Sequence, residues 1–188
     1  MNILFLGYSE SPLVTFLRES GEAVTTSEEK ISAEQSGGFE FLISYGYRYI
    51  LRPELLSLFP DRAINLHVSL LPWNRGSDPN LWSWIENTPK GVTIHYLDPG
   101  LDTGDIIVQK AVILGSKETL RTSYEVLRTE LEAMFRANWP NIRQGRCERR
   151  KQAEGGSFHK VADRKKVEHL LVHGWDTSVT WLSAQLPL

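Results

Sequence analysis

One cysteine, Cys147, stands among 188 residues. A single thiol has no partner within its own chain, so an intramolecular disulfide and a cysteine-only metal site are both excluded. No apolar run approaches the length of a membrane-crossing helix. The start, Met1-Asn2-Ile3-Leu4-Phe5-Leu6-Gly7, reads directly as a strand, without a basic region, apolar run and cleavage site in series. No signal peptide is therefore expected, and the cytoplasm is the default compartment. Gly7-Tyr8-Ser9-Glu10-Ser11 lacks the Gly-x-Gly-x-x-Gly fingerprint, which argues against a nicotinamide cofactor. No Gly-x-Ser-x-Gly elbow accompanies Ser69, which argues against a hydrolase triad with His67 and Asp102. The five histidines (67, 95, 159, 169, 173) include one pair four apart, but no glutamate follows His169 as a zinc protease would need. No metal is expected.

Apolar residues are 41% of the chain and charged residues 23%, the balance of an ordinary globular protein with enough length for one cored domain. A formal net charge of −2 hides an asymmetry. Between Arg143 and Lys166 lie nine basic residues against three acidic ones, so that segment carries +6 and the remainder −8. Such a segment reads either as a phosphate- or nucleic-acid-binding surface or as a solvated helix end followed by a polar loop. No RNA-binding signature accompanies it, so nucleic acid is not expected as a partner.

Periodicity predicts alternating strands and helices. Residues 2–7 form an apolar run ending in glycine, as a buried parallel strand does. A helix is expected over Ser9 to Glu19, then strands at Ala23 to Thr26 and Phe39 to Ser44, and a short helix opened by Arg52-Pro53-Glu54. Ala63 to His67 is the next strand. Asp78-Pro79 begins a helix with a capping aspartate and a proline at its first position, facing Leu81, Trp84 and Ile85 inward. Gly91 to Leu97 and Asp105 to Leu114 read as antiparallel strands, because Asp98-Pro99-Gly100-Leu101-Asp102-Thr103-Gly104 is too short for a helical crossover. Leu120, Tyr124, Leu127, Leu131, Met134 and Phe135 recur at helical spacing from Thr119 to about Asn138, and Pro140 is expected to end or kink that helix. A polar stretch with Gly155-Gly156 follows, then a weak amphipathic segment from Ser178 to Gln185. The pattern implies one α/β domain with a mostly parallel, Rossmann-like sheet, ending in a β-hairpin and a long helix. The domain proper is expected over 1–146, with 147–188 a polar loop and short tail for substrate or dimer contact.

Chemistry concentrates at Asn65-Leu66-His67 and at Asp102, 35 residues after His67. Residues i and i+2 of a strand share a face, so Asn65 and His67 project together. They lie at the carboxyl end of their strand, where open α/β sheets place their sites. An amide, an imidazole and a carboxylate supply a donor for a carbonyl oxygen, a proton-handling group and an orienter. That set suits acyl transfer to an amine without a covalent enzyme intermediate.

The run Asn65-Leu66-His67-Val68-Ser69-Leu70-Leu71-Pro72-Trp73-Asn74-Arg75-Gly76, with Gly91-Val92-Thr93-Ile94-His95-Tyr96 and Leu101-Asp102-Thr103-Gly104, closely resembles the folate-dependent formyltransferases. The resemblance runs from Met1 to about Arg146. Val68 stands where the family has proline, a departure that touches no reacting group. The resemblance implies that Asn65, His67 and Asp102 are catalytic and that N10-formyltetrahydrofolate is the co-substrate. It further implies that the pterin is taken by the loop carrying Ser44, Tyr45, Gly46, Tyr47, Ile50 and Leu51, largely through backbone groups. Leu101 and Gly104 belong to the other wall of that site. The tyrosines also suit ordinary packing, and His95 reads as core or as a neighbour of the site rather than as catalytic.

Two branches of the family look most similar. One formylates nucleotide-linked amino sugars and often carries a tail motif like Ser157-Phe158-His159. The other formylates aminoacyl groups on carrier proteins. Methionyl-tRNA formyltransferases have a second, oligonucleotide-binding domain, and the roughly 40 residues after Gly145 do not accommodate one. The purine enzyme has a longer N-terminal half and a glycine-rich phosphate loop. The expected acceptor is therefore a small primary amine, the sugar nucleotide first, then the carrier-bound aminoacyl group. The basic segment would meet its pyrophosphate, while Trp73, Trp82 and Trp84 suit ring stacking or a core equally. A formyltetrahydrofolate hydrolase using the same three residues on water is a further alternative, and a homodimer is compatible with the apolar tail residues.

Overall fold

The computed structural model describes residues 1–185; the last three residues of the expected 147–188 tail lie outside the described residues. Its strands are β1 (Asn2–Gly7), β2 (Ala23–Ser27), β3 (Phe41–Tyr45), β4 (Ala63–His67), β5 (Arg75–Gly76), β6 (Gly91–Tyr96), β7 (Ile106–Ala111) and β8 (Phe158–His159). The helices are α1 (Pro12–Glu19), α2 (Pro53–Leu56), α3 (Pro79–Ile85), α4 (Leu120–Ile142) and α5 (Val179–Ala184). The chain packs as two compact units, one of residues 1–67, 94–107 and 132–151, the other of 68–93, 108–131 and 152–188.

A mixed six-stranded sheet runs in the order β2-β1-β3-β4-β6-β7, with β1 to β4 wholly in the first unit. The pairs β1–β2, β1–β3 and β3–β4 are parallel. Leu97 N donates to Ala63 O at 2.9 Å, so the end of β6 meets the start of β4 and the two run antiparallel. Tyr96 N donates to Asp105 O at 2.9 Å across the turn into β7, again antiparallel. Strands buried on both faces need apolar residues at successive positions, and Ile3 to Leu6 and Phe41 to Ile43 supply them. One face packs Leu4, Leu6, Leu42 and Ala63 against Leu55 and Phe59. On the other, Phe41 meets Trp139 edge-to-face at 5.4 Å, and Trp139 stacks on Phe135 at 5.3 Å.

Several local expectations need correction. Helix α1 starts at Pro12 rather than Ser9, because Ser11 caps it by accepting from Leu13 N at 3.2 Å and Pro12 fills the first position. Strand β3 is displaced by one or two residues from 39–44. Asp78 does not cap α3 through its side chain: it sits at φ 53°, and its carboxylate accepts from Ser77 Oγ at 3.0 Å. Helix α4 continues through Pro140 to Ile142. A proline so near the end removes one backbone donor, while burial of Trp139 and Ile142 holds the last turn in place. The helix closes at Gly145, whose N–H donates to Ile142 O with φ 65°.

In the second unit, Leu81, Trp82, Trp84 and Ile85 of α3 pack with Leu120, Val179 and Leu182, with Val167, Leu170 and Leu171 against them. Part of the apolar tail is thus covered within its own unit, while Val172, Trp175 and Trp181 stay exposed. Trp82 and Trp84 are core residues, and only Trp73 of the three candidate stacking tryptophans is exposed. Trp82 stacks on His159 at 3.9 Å, and β8 pairs in parallel with β5. Among the described residues no helix is long and apolar enough to cross a membrane.

The Trp139 contacts yield a stability prediction. Trp139→Ala is expected to cost about 3–5 kcal/mol, the range for deleting a fully buried aromatic. Urea unfolding with an unchanged slope checks it; a loss below about 1 kcal/mol means the aromatic cluster does not carry this sheet face.

Candidate active site

Parallel pairing sets Ser44 opposite Asn65 and Leu42 opposite Ala63. Ser44, Asn65 and His67 therefore share the sheet face that carries Leu42 and Ala63. Tyr45 points the other way. It is 1% exposed, and its hydroxyl donates to Glu132 Oε1 on α4 at 3.0 Å, so only its backbone is left for a ligand on the site face. The antiparallel register from Leu97–Ala63 puts His95 directly across from Asn65.

The segment 98–104 folds back onto this pair. Asp98 Oδ1 accepts from Gly100 N at 3.1 Å and from Thr103 Oγ1 at 2.7 Å, closing the turn on itself. Asp102 takes φ 53°, a left-handed conformation that aspartate tolerates better than most residues. Gly104 is required for contact rather than for conformation: a Cβ there would lie 1.9 Å from Tyr96 O.

Four polar side chains meet as a result. Asn65 Nδ2 donates to Asp102 Oδ1 at 3.0 Å. His95 Nε2 lies 3.3 Å from the same Oδ1 and 3.3 Å from Asn65 Nδ2. His67 Nδ1 is 3.6 Å from Asp102 Oδ2, a charge contact longer than a hydrogen bond. His67 and His95 are buried, and their rings meet edge-to-face at 6.2 Å. A carboxylate only accepts, so it fixes the Asn65 amide with nitrogen toward Asp102. One amide hydrogen serves Asp102, which leaves the second for another acceptor.

The structure thus brings together the three residues singled out as catalytic and places beside them His95, which the sequence leaves as core or a neighbour of the site. The signal for His95 was the hairpin: once β6 is laid antiparallel on β4, a histidine opposite Asn65 follows.

Of the residues expected to take the folate, Gly46 takes φ 68° beside the Tyr8 ring, where a Cβ would come within 2.4 Å. Tyr47 is tied into its own unit, donating to Glu29 O at 2.8 Å and accepting from Ile31 N at 3.1 Å. Burial pushes its phenol above the ordinary range. Ile50, 67% exposed, and Leu101, 41% exposed, present aliphatic side chains to solvent, and Leu51 packs partly buried against the core.

Several cations of the basic segment are paired within their own unit. Arg149 forms ion pairs with Asp61 and Asp105, and its guanidinium lies 4.1 Å above the Tyr96 ring. Arg143 is 3.0 Å from the buried Glu22. Lys166 pairs with Asp163 at 2.7 Å, and Arg164 lies 4.0 Å from Asp78. Among the described residues no group of three His, Cys, Asp or Glu side chains is arranged to hold a metal ion.

Residues 9–137 match the family model described as formyl transferase. A methionyl-tRNA formyltransferase of Desulforamulus reducens is 33% identical over 140 residues, which is 74% of this chain and 43% of that protein. The chain spans less than half the length of the curated relatives it matches. Among solved structures, the formyltransferase PseJ from Anoxybacillus kamchatkensis, in complex with UDP-4,6-dideoxy-4-formamido-L-AltNAc and tetrahydrofolate, superposes with a TM-score of 0.94. It is 48% identical, covering 98% of this chain and 100% of that one. A sugar N-formyltransferase from Shewanella sp. shares the fold at 20% identity, with a TM-score of 0.80 over 97% of this chain and 86% of that one.

Gly104→Ala tests the packing of the turn. The methyl group would displace residues 98–104 from Tyr96, and overpacking of this kind costs roughly 1–3 kcal/mol. A lowered melting temperature is expected; a variant as stable as the parent would show that the turn does not depend on this close approach.

Proposed function

We propose that this chain, which belongs to the formyl transferase family, transfers a formyl group from N10-formyltetrahydrofolate to the primary amine of a nucleotide-linked amino sugar. The observation that carries the reading is the convergence of Asn65, His67 and Asp102 on one site within a single compact unit. The 48% identical relative, matched along its whole length, holds a UDP-linked 4-formamido sugar with tetrahydrofolate. That pairing supports a UDP-linked 4-amino-4,6-dideoxy sugar as the acceptor to try first.

The donor set fits a formyl donor. When bound, the folate supplies an electrophilic formyl carbon on a nitrogen leaving group. Asn65 directs its second amide hydrogen at the formyl oxygen, where negative charge develops, and a donor so placed is typically worth ~10²–10³ in rate. His67 gives the same oxygen a ring N–H. Asp102 orients His67 and accepts the proton that the attacking amine must lose, directly or through water, and the departing folate nitrogen takes up a proton as its bond to the formyl carbon breaks; assistance of this kind contributes roughly 10²–10⁴. The His67–Asp102 separation of 3.6 Å suits a pair that tightens when the substrates displace water. Residues 44–51 and the 98–104 turn are assigned to the folate, Ser44, Tyr45 and Gly46 through backbone groups, with Ile50 and Leu101 as aliphatic contacts. Residues 1–146 carry the reaction in this reading, and 147–188 contribute acceptor or dimer contacts. A chain with one thiol and no disulfide is at home in the cytoplasm.

The test is amine-dependent release of tetrahydrofolate by the purified protein. Turnover with the UDP-linked 4-amino sugar is expected, with kcat reduced by about 10²–10³ in Asn65→Ala and Asp102→Asn while circular dichroism stays unchanged. Near-parental activity in both variants would sink the site assignment. Release of formate without any amine would instead make the protein a hydrolase, and turnover only with an aminoacyl carrier protein would move the acceptor.

A further inference from the structure

Asp102 has two carboxylate oxygens, and the structure divides them. Oδ1 takes Asn65 Nδ2 at 3.0 Å and His95 Nε2 at 3.3 Å, while Oδ2 faces His67 Nδ1 at 3.6 Å. The carboxylate is 10% exposed and stands on a turn residue at φ 53°, so contacts rather than a strand fix its place. His95 is the most deeply held of those contacts: 1% exposed, on β6, with its ring anchored at the far side.

That anchor settles the ring's chemistry. His95 Nδ1 lies 2.8 Å from Tyr96 O, and a backbone carbonyl only accepts, so Nδ1 carries a proton. Nε2 then faces the Asp102–Asn65 pair in one of two states. Without a proton it is an acceptor within reach of the second Asn65 Nδ2 hydrogen while no formyl oxygen takes it; with one it donates to Asp102 Oδ1. The ring has a partner in the same place either way, so proton movement in the site does not release it. The groups facing it are Asn65 and His67 from β4, Asp102 from the 98–104 turn and the Tyr96 carbonyl; the Tyr96 phenol, raised by burial against the nearby Arg149, stays neutral.

We infer that His95 is a positioning residue for the proposed transfer, acting through Asp102: it occupies Oδ1 together with Asn65, so that Oδ2 is the oxygen presented to His67. The inference rests on the formyl-transfer reading for its kinetic consequence and on geometry alone for the coupling itself.

Two variants separate the two ends of the ring. His95→Asn keeps an N–H near the Nδ1 position for Tyr96 O and loses the group that reaches Asp102. His95→Gln extends an amide to the Nε2 position. A misplacement of about 1 Å at a reacting group costs on the order of 10²-fold. The expected result is kcat lowered about 10²-fold in His95→Asn, with KM for both substrates unchanged, and recovery to within about tenfold of the parent in His95→Gln. Equal loss in both variants, or none in either, overturns the inference. A second measurement does not depend on turnover or on either variant folding: nitrogen-15 spectra of the histidines in the parent and in Asp102→Asn. A proton on His95 Nδ1 is expected, with the Nε2 resonance moving together with that of His67 when Asp102 is replaced. A His95 resonance unmoved by that replacement overturns the coupling. Absence of amine-dependent turnover in the parent overturns the transfer reading instead, and the spectra still decide the coupling.

Discussion

The whole site hangs on the register of β6 against β4. The hydrogen bond from Leu97 N to Ala63 O fixes it, and from there the antiparallel ladder sets His95 across from Asn65. Side chains alternate faces along a strand, so a slip of one residue would turn His95 to the opposite face and leave Asp102 without its Oδ1 partner. The same register brings Tyr96 O to the point where Gly104 approaches it and His95 Nδ1 donates to it. One backbone carbonyl therefore positions both the turn that carries Asp102 and the ring that meets it.

The two sheet faces divide the work. Toward α4 the sheet is aromatic and dry, with Phe41, Phe135 and Trp139 packed together and the Tyr45 hydroxyl spent on Glu132. That face leaves no freedom to β3 and β4, so the backbone beneath Asn65 and His67 is fixed by packing rather than by the polar groups themselves. The polar groups can then be arranged for chemistry. A half-buried amide, two buried imidazoles and a carboxylate interact in such surroundings, and each has a partner within the set. The positive φ of Asp102 is held against its local preference by Asp98, Thr103 and the Gly104 contact.

Much of this is legible in the sequence where short-range rules act. The bounds of β4, the shared face of Asn65 and His67, and the hairpin around 98–104 all follow from period-two patterning and turn residues. What escaped depends on partners distant in sequence. His95 stays undecided between core and a neighbour of the site until the strand opposite is known. Asp78 before Pro79 has the composition of a cap, but a left-handed backbone turns its carboxylate to Ser77. Pro140 reads as a helix stop, yet burial of Trp139 and Ile142 outweighs one missing donor. The tryptophans are ambiguous by composition alone, and packing decides them: Trp82 and Trp84 are spent on the core of the second unit.

The reaction and the acceptor are encoded on different scales. Formyl transfer needs a few groups within hydrogen-bond reach, and one strand, its antiparallel neighbour and one turn supply them. Acceptor recognition would draw on charge and rings spread over a longer stretch, where the raw count misleads. The +6 segment from 143 to 166 suggests an anion site. Yet Arg149 is committed to Asp61 and Asp105, Arg143 to Glu22 and Lys166 to Asp163. A cation beside a fixed carboxylate draws a diphosphate less than its formal charge implies, because the two charges offset each other at a distance. The charge relevant to a sugar nucleotide is therefore what remains after internal pairing, a quantity set by the fold and not by composition.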